Sequence, residues 1–370
     1  MKVLTLSTIL VLFGFANAFA ATEIYEFDLP SVYGGMGVSP GGKCYYSTLS
    51  GGPHRIILLT NASGPWTTEY IYNDTGWITN QSICFDSQGY PIVLINSFEQ
   101  TENIRIARYN GATWNIENTG IVGTYGSIVY SPSGKIYIVY KKFGDIGDPD
   151  QLCWMYKSGS IWKTEILDPV KNCSDPSLAI DKNGTLHLAY TSYQYTTARL
   201  RYGTKGTGAW NIQTLLSREN EGWTWPVIAS DYNGHPWIAY ADNGDPNNTI
   251  FCHYYDGSTW HQETVLVDRS AIAKSIVTDK SNRPIIGFSK SFNNSYVVRR
   301  ENDGAWSSPV VVEEKINPTD KRNNPRLAID SNDILWVCYY WYSESSGEKL
   351  HIARIDDYVS LSARSWNLWE

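Results

Sequence analysis

The chain has 370 residues and a net charge of −7 at pH 7, from 30 Lys+Arg against 37 Asp+Glu, so it offers no basic stripe for a phosphate backbone and nucleic acid is not an expected partner. Charged residues are only 18% and aromatic residues 14%, with 15 Trp and 26 Tyr, a mixture that favours strands and argues against a disordered tail. Six Cys, at 44, 84, 153, 173, 252 and 338, lie too far apart for the close-set ligand pairs of a zinc site. Cys153 with Cys173 is the expected disulfide, since Cys173 lies in a loop after the strand pair that Cys153 opens; buried free thiols are the alternative.

Residues 1–20, MKVLTLSTILVLFGFANAFA, place Lys2 before an apolar run from Val3 to Phe15 and end in small residues around Ala18 and Ala20. That is the form of a secretory signal peptide cut after Ala18 or Ala20, and the run is too short for a bilayer span. No later segment reads as a membrane span. The expectation is a secreted or extracytoplasmic protein whose residues 21–370 form a single domain.

From residue 35 onward one pattern returns: GMGVSPGGK at 35, SICFDSQGY at 82, SIVYSPSGK at 127, SLAIDKNGT at 177, VIASDYNGH at 227, SIVTDKSNR at 275 and RLAIDSNDI at 326. Each reads as a short strand running into a tight turn. The turn is marked by Ser39, Asp86, Ser131, Asp181, Asp231, Asp279 and Asp330, 45 to 51 residues apart. A hydroxyl or carboxylate there accepts backbone N–H bonds inside the turn. Residues 176–214 show the whole unit, with PSLAI, TLHLAY, ARLRYGT and AWNIQTLL as four strands. Asn-Gly and Gly-rich dipeptides at 181–184 and 205–208 accept the positive φ of the hairpins between them.

A second mark is independent of the first. Trp66, Trp114, Trp162, Trp210, Trp260, Trp306 and Trp366 each open a fourth strand just after a turn, which contains Gly in every case but the last. Two marks of this period, each counting to seven, predict an all-β chain: a seven-bladed β-propeller of four-stranded antiparallel blades around a central channel. Glu23–Leu29 is similar to the fourth-strand tails and is expected to close the ring by pairing in blade seven beside Ser362–Glu370.

The D-x-x-G hairpin, the LHLAY strand and the G-x-x-W turn together resemble the sialidase-like propellers built from Asp-box (bacterial neuraminidase) repeats. The box is degenerate: Asp256-Gly257-Ser258-Thr259-Trp260 lacks the residue that the family places between Asp and Gly. The resemblance implies the propeller and little about activity. It implies for sialidases an Arg trio, a Tyr–Glu pair and an acid Asp, introduced by Arg-Ile-Pro. Here Arg55-Ile56-Ile57 lies in a third strand with no proline after it, so no sialidase catalytic residue is carried over. His187 followed by Arg199-Leu200-Arg201-Tyr202 is similar to seven-bladed propeller polysaccharide lyases, which place a His, a Tyr and an Arg in the channel. Tyr193 stands where those lyases tend to have a second His. This likeness makes His187, Tyr193 and Arg201 the catalytic candidates, with burial of His187 among strands as the alternative.

The one-to-two and three-to-four turns are tight. The two-to-three loops, such as 141–151 and 241–249, and the interblade loops, such as 216–225, are long, polar and aromatic. Binding is therefore expected on the long-loop face. Residues six before each turn mark should ring the channel mouth there: Tyr33, Asn80, Tyr125, Asp175, Trp225, Ala273 and Asn324. Trp225, nearby Trp223, Tyr125 and Tyr193 suit stacking on sugar rings, and Asp175, Asn80 and Asn324 suit hydrogen bonds to hydroxyls. Asp145, Asp148 and Asp150 are oxygen donors of the kind Ca²⁺ takes, without EF-hand spacing; a solvated acidic loop is the alternative, and no other cofactor is expected.

The expected function is recognition of a polysaccharide or glycan without chemistry. The rivals are an extracellular polysaccharide lyase or glycosidase, which needs a base with a neutralising cation or two facing carboxylates, and an adhesion or protein-interaction scaffold.

Overall fold

The second strand of each blade explains the architecture. Segments such as Ile136–Lys142, Leu186–Gln194 and Pro236–Ala241 are near-continuous apolar runs, which a strand needs only when both of its faces are buried. In blade four Leu186, Leu188 and Tyr190 face one neighbouring blade while Ala189 faces the other. A computed structural model describes residues 2–4, 21–29, 34–50, 55–73, 82–96, 103–144, 150–168, 172–219, 225–242, 249–291, 294–313 and 319–356. These residues form seven antiparallel sheets, six of four strands and one of five.

The seven inner strands are Gly35–Val38, Ser82–Phe85, Thr124–Tyr130, Cys173–Ile180, Val227–Ser230, Ala271–Thr278 and Lys321–Ile329. Each contacts the next, and the last returns to the first. Buried side chains gather into seven clusters, one in each joint between blades. The fold is thus a seven-bladed propeller, as the two sequence marks predicted.

Both marks have physical roles. The Oδ1 of Asp181 accepts the N–H groups of Asn183 and Thr185, each at 2.8 Å. Asp86, Asp231, Asp279 and Asp330 do the same in their own turns, and Ser39 and Ser131 accept one N–H each. Gly184, three residues past the mark, has φ +85, a left-handed conformation that Gly adopts without a Cβ penalty. The Trp mark packs across blade joints. Trp66 meets Phe27 and Trp336 of blade seven, Trp210 meets Trp154 of blade three, and Trp260 meets Tyr202 of blade four. Trp162 and Trp306 donate Nε1–H to Glu117 and Glu263 of the preceding blade, at 2.8 and 3.1 Å.

Ring closure differs in its partner from the expectation. Glu23–Phe27 does complete blade seven, but it pairs with Gly347–Ile355, from Glu23↔Arg354 to Phe27↔Leu350, and Lys2–Leu4 pairs outside it. Because the N-terminal strand occupies that edge, the third strand of blade seven has no free ladder left for a C-terminal fourth strand. Ser362–Glu370, including Trp366, lies outside the described residues. All six cysteines are free thiols, so the Cys153–Cys173 disulfide is not formed. Cys153 faces the blade two–three joint and Cys173 the three–four joint, and side chains on opposite faces of a blade cannot meet.

Candidate functional site at the channel mouth

The two ends of the channel are chemically unlike. At the tight-turn end a cavity of about 470 Å³ is bordered by Val38, Phe85, Ile128, Leu178 and Ile329 among others. Its one carboxylate, that of Asp330, is held by the turn N–H groups. The long-loop end is set by irregularities in the inner strands. Between Thr124 and Ser127, Ser174 and Ser177, Ala273 and Ser275, and Asn323 and Arg326, each inner strand carries one residue more than its partner. A β-bulge of this kind leaves the extra residue outside the ladder and re-aims its side chain. Of the positions counted back from the turn marks, Tyr125, Asp175 and Asn324 fall inside such bulges, and Tyr125 and Asn324 have φ +50 and +55.

Just beyond the bulge a serine clasp joins neighbouring inner strands. The hydroxyls of Ser82, Ser127, Ser177 and Ser275 accept the N–H of Ile128, Leu178, Ile228 and Leu327 in the next blade, at 3.1 to 3.3 Å. This satisfies N–H groups that an inner edge would otherwise leave unpaired. Blade five has Val227 at the clasp position and blade seven has Arg326. At the bulge position Gly34, Gly126, Pro176, Pro226 and Pro325 recur, but blade two has Gln81 and blade six has Lys274.

Two of these departures, Lys274 and Arg326, come together beside Trp225. The Lys274 Nζ lies 4.6 Å from the ring centroid of Trp225, which is 51% exposed, and the Arg326 Nη1 donates to the Lys274 carbonyl at 2.9 Å. Both cations are partly buried. Burial and then the Arg326 guanidinium push the Lys274 ammonium down to about 8, and burial lowers Arg326 as well. Among the described residues no carboxylate pairs with either group, and the Arg326 Nε is buried without a hydrogen-bond partner. Elsewhere, partly buried cations find acids: Arg201 pairs with Asp168, Arg218 with Asp242, Arg300 with Glu263 and Lys141 with Asp150.

Of the other mouth residues, Tyr125 stands on the blade three side with Lys141 near its ring, and Asn324 donates its N–H to Ser289 Oγ at 2.9 Å. Asp175 belongs to the inner strand of blade four. Tyr33, Asn80 and Trp223 lie outside the described residues. His187, Tyr193 and Arg201 do not converge. His187 and Tyr193 share one face of Leu186–Gln194, six residues apart, a separation of about 20 Å. Arg201 pairs with Tyr190 on the opposite face. The His187 ring is buried, with Nδ1 2.7 Å from the Tyr202 hydroxyl and Nε2 3.9 Å from Asp181, and burial pushes its pKa down. Arg201 Nη2 lies 3.1 Å from Asp168, which also accepts the Tyr190 hydroxyl. Asp150 is paired with Lys141 at 2.6 Å, while Asp145 and Asp148 lie outside the described residues.

Sequence reasoning passes over Lys274 and Arg326 because a fixed offset lands on Ala273, which is buried. Lys274 and Arg326 are the charged residues in the Gly/Pro and Ser columns, and that charge is the signal that could have found them.

No family model matches the chain, and no curated protein matches it. Solved structures do share its fold. A polysaccharide lyase, an ulvan lyase bound to a saccharide of glucuronic acid and 3-sulfated rhamnose, is 11% identical with a TM-score of 0.59, over 94% of this chain and 99% of its own. A second polysaccharide lyase is 10% identical with a TM-score of 0.58, over 94% of each chain. A protein of unknown function from Dyadobacter fermentans is 8% identical with a TM-score of 0.53, over 90% of this chain and 98% of its own. At such identity the likeness shows the fold alone. Among the described residues no helix is long and apolar enough to cross a membrane.

Proposed function

We propose that this propeller recognises carbohydrate outside the cytoplasm, at the long-loop mouth of its channel. The observation that carries the reading is Trp225, whose indole is half exposed at the mouth with polar and cationic groups from the next two blades beside it. A flat aromatic face stacks on the C–H face of a sugar ring while neighbouring donors take its hydroxyls. The chain shares its fold with polysaccharide lyases, which lends support by analogy, and the leader-like residues 1–20 and Asp-box-like turns fit a secreted glycan-binding protein. Binding without cleavage is favoured over the lyase reading because His187, Tyr193 and Arg201 lie on two faces of blade four.

A panel of immobilised plant, algal and microbial polysaccharides tests this. The protein is expected to be retained on at least one, with no new reducing ends or unsaturated products, and Trp225→Ala is expected to weaken retention about tenfold or more. Retention on none, or full retention of Trp225→Ala, overturns the reading. Product formation converts it to an enzyme on the same face.

A further inference from the structure

We infer that Lys274 and Arg326 form an anion subsite beside Trp225, so that the saccharide recognised at this mouth carries a carboxylate or sulfate group; this inference rests on the carbohydrate reading for its ligand but not for the subsite itself. A propeller built from seven like units gives each ring position the same structural task, and at the bulge and clasp positions that task is met by Gly, Pro or Ser in most blades, by the uncharged Gln81 and Val227 in two, and by a cation at Lys274 and Arg326 alone. A structural role does not call for a lysine in one blade and an arginine in the next.

The two cations are moreover costly where they stand. Removing charge from water without a counter-ion is unfavourable, and their mutual repulsion adds to the cost. The same molecule places a carboxylate beside Arg201, Arg218 and Arg300, so the fold is able to neutralise partly buried cations, and among the described residues it does not do so here. Such a pair is relieved by an incoming anion. The guanidinium offers a planar fork suited to a carboxylate or sulfate edge, and the ammonium a point charge.

Geometry fixes the order of contacts. Trp225, Lys274 and Arg326 come from blades five, six and seven, six, five and four residues before their turn marks. The indole is exposed and outermost, Lys274 lies against it, and Arg326 is tied to the Lys274 carbonyl deeper in the joint near Tyr46 and Cys338. A sugar stacked on Trp225 directs a ring substituent at the two cations. A neutral sugar leaves them uncompensated, which makes the pair a specificity device as well as a source of affinity.

The test measures binding of oligogalacturonate, dextran sulfate and unsubstituted dextran to the full chain and to Lys274→Met, Arg326→Met and Lys274→Arg. Either acidic probe is expected to bind more tightly than dextran by about tenfold or more, with both Met variants losing that margin and Lys274→Arg keeping it. Preference for oligogalacturonate assigns a carboxylate ligand, and preference for dextran sulfate a sulfate. Equal binding of all three, unchanged in Lys274→Met, overturns the subsite and leaves the carbohydrate reading standing. A saccharide-free arm separates the two ideas: sodium sulfate, against sodium chloride at matched ionic strength, is expected to raise the melting temperature of the wild type more than that of Lys274→Met. That difference without binding of any saccharide supports the subsite and overturns the carbohydrate reading. No difference, with no acidic preference, overturns the subsite. Should Arg326→Met fail to fold, Lys274→Met decides alone.

Discussion

Asp181 shows what one side chain contributes to every blade. Its Oδ1 takes two N–H groups at 2.8 Å and its side chain is buried, so removing it leaves two donors in a tight turn with nowhere else to bond. Asp181→Ala is expected to cost about 1–3 kcal/mol, whereas Asp181→Asn keeps a carbonyl acceptor in the same place and is expected to cost less. Urea denaturation of the two variants checks this, and equal midpoints would mean that water replaces the carboxylate without loss. Two blades vary the device. Asn282 and Asp333 occupy the positive-φ position held by Gly in the other blades, and their side chains accept the N–H of Tyr232 and Lys280 in the preceding turn at 2.9 and 3.0 Å. A side chain that strains its own backbone there ties adjacent blades together.

At the scale of the strand, closure rests on Glu23–Phe27. This segment covers the open edge of Gly347–Ile355 and carries Phe27 and Tyr25 against Trp66. Trp66 is the most buried of the six described Trp marks, at 7% exposure, because it sits where the two ends of the ring meet. Trp66→Ala is expected to destabilise the protein by about 3–5 kcal/mol. The partly buried Trp114, which meets Tyr109 of its own blade, is expected to cost less when truncated. Calorimetry of both variants distinguishes closure from a generic aromatic loss, and equal shifts in melting temperature would count against the special place given to Trp66. Periodic features such as these are legible in the amino-acid sequence, since a residue that performs the same task seven times leaves a mark seven times. Cross-strand register is not. The hairpin of blade four turns at Tyr195, a non-glycine residue with φ +54, and its register, which no local preference sets, separates Arg201 from His187 and Tyr193. Lys274 escapes sequence reasoning for a related reason: a bulge shifts the outward-facing residue by one, and counting back a fixed number lands on its buried neighbour.

For the molecule as a whole, a net charge of −7 repels polyanions over most of the surface, so any attraction for them must be local and must depend on cations, such as Lys274 and Arg326, that no acid among the described residues neutralises. Lys274 makes that dependence titratable. Its neighbours on the adjoining blades are the Trp225 ring and the Arg326 guanidinium, and it loses its proton near pH 8 when folded against 10.5 when exposed. Between those values the unfolded chain binds the extra proton, so this group's contribution to stability rises with pH, and below about 8 it is a standing cost. Lys274→Met is therefore expected to be more stable than the wild type at pH 7 by about 1–2 kcal/mol, after allowance for solvent screening of a partly exposed group, and to lose that advantage as pH approaches 10.5. Taking the difference between the two proteins cancels the buried Tyr and Cys residues, which titrate in both. Over the same range, binding of an acidic saccharide to the wild type is expected to weaken as pH rises through about 8, while binding to Lys274→Met stays low and flat. Denaturant melts and binding isotherms at pH 6, 7, 8, 9 and 10 would read both trends. A variant no more stable than the wild type at pH 7 would show that Lys274 bears no cost and is not held at the mouth uncompensated for a ligand.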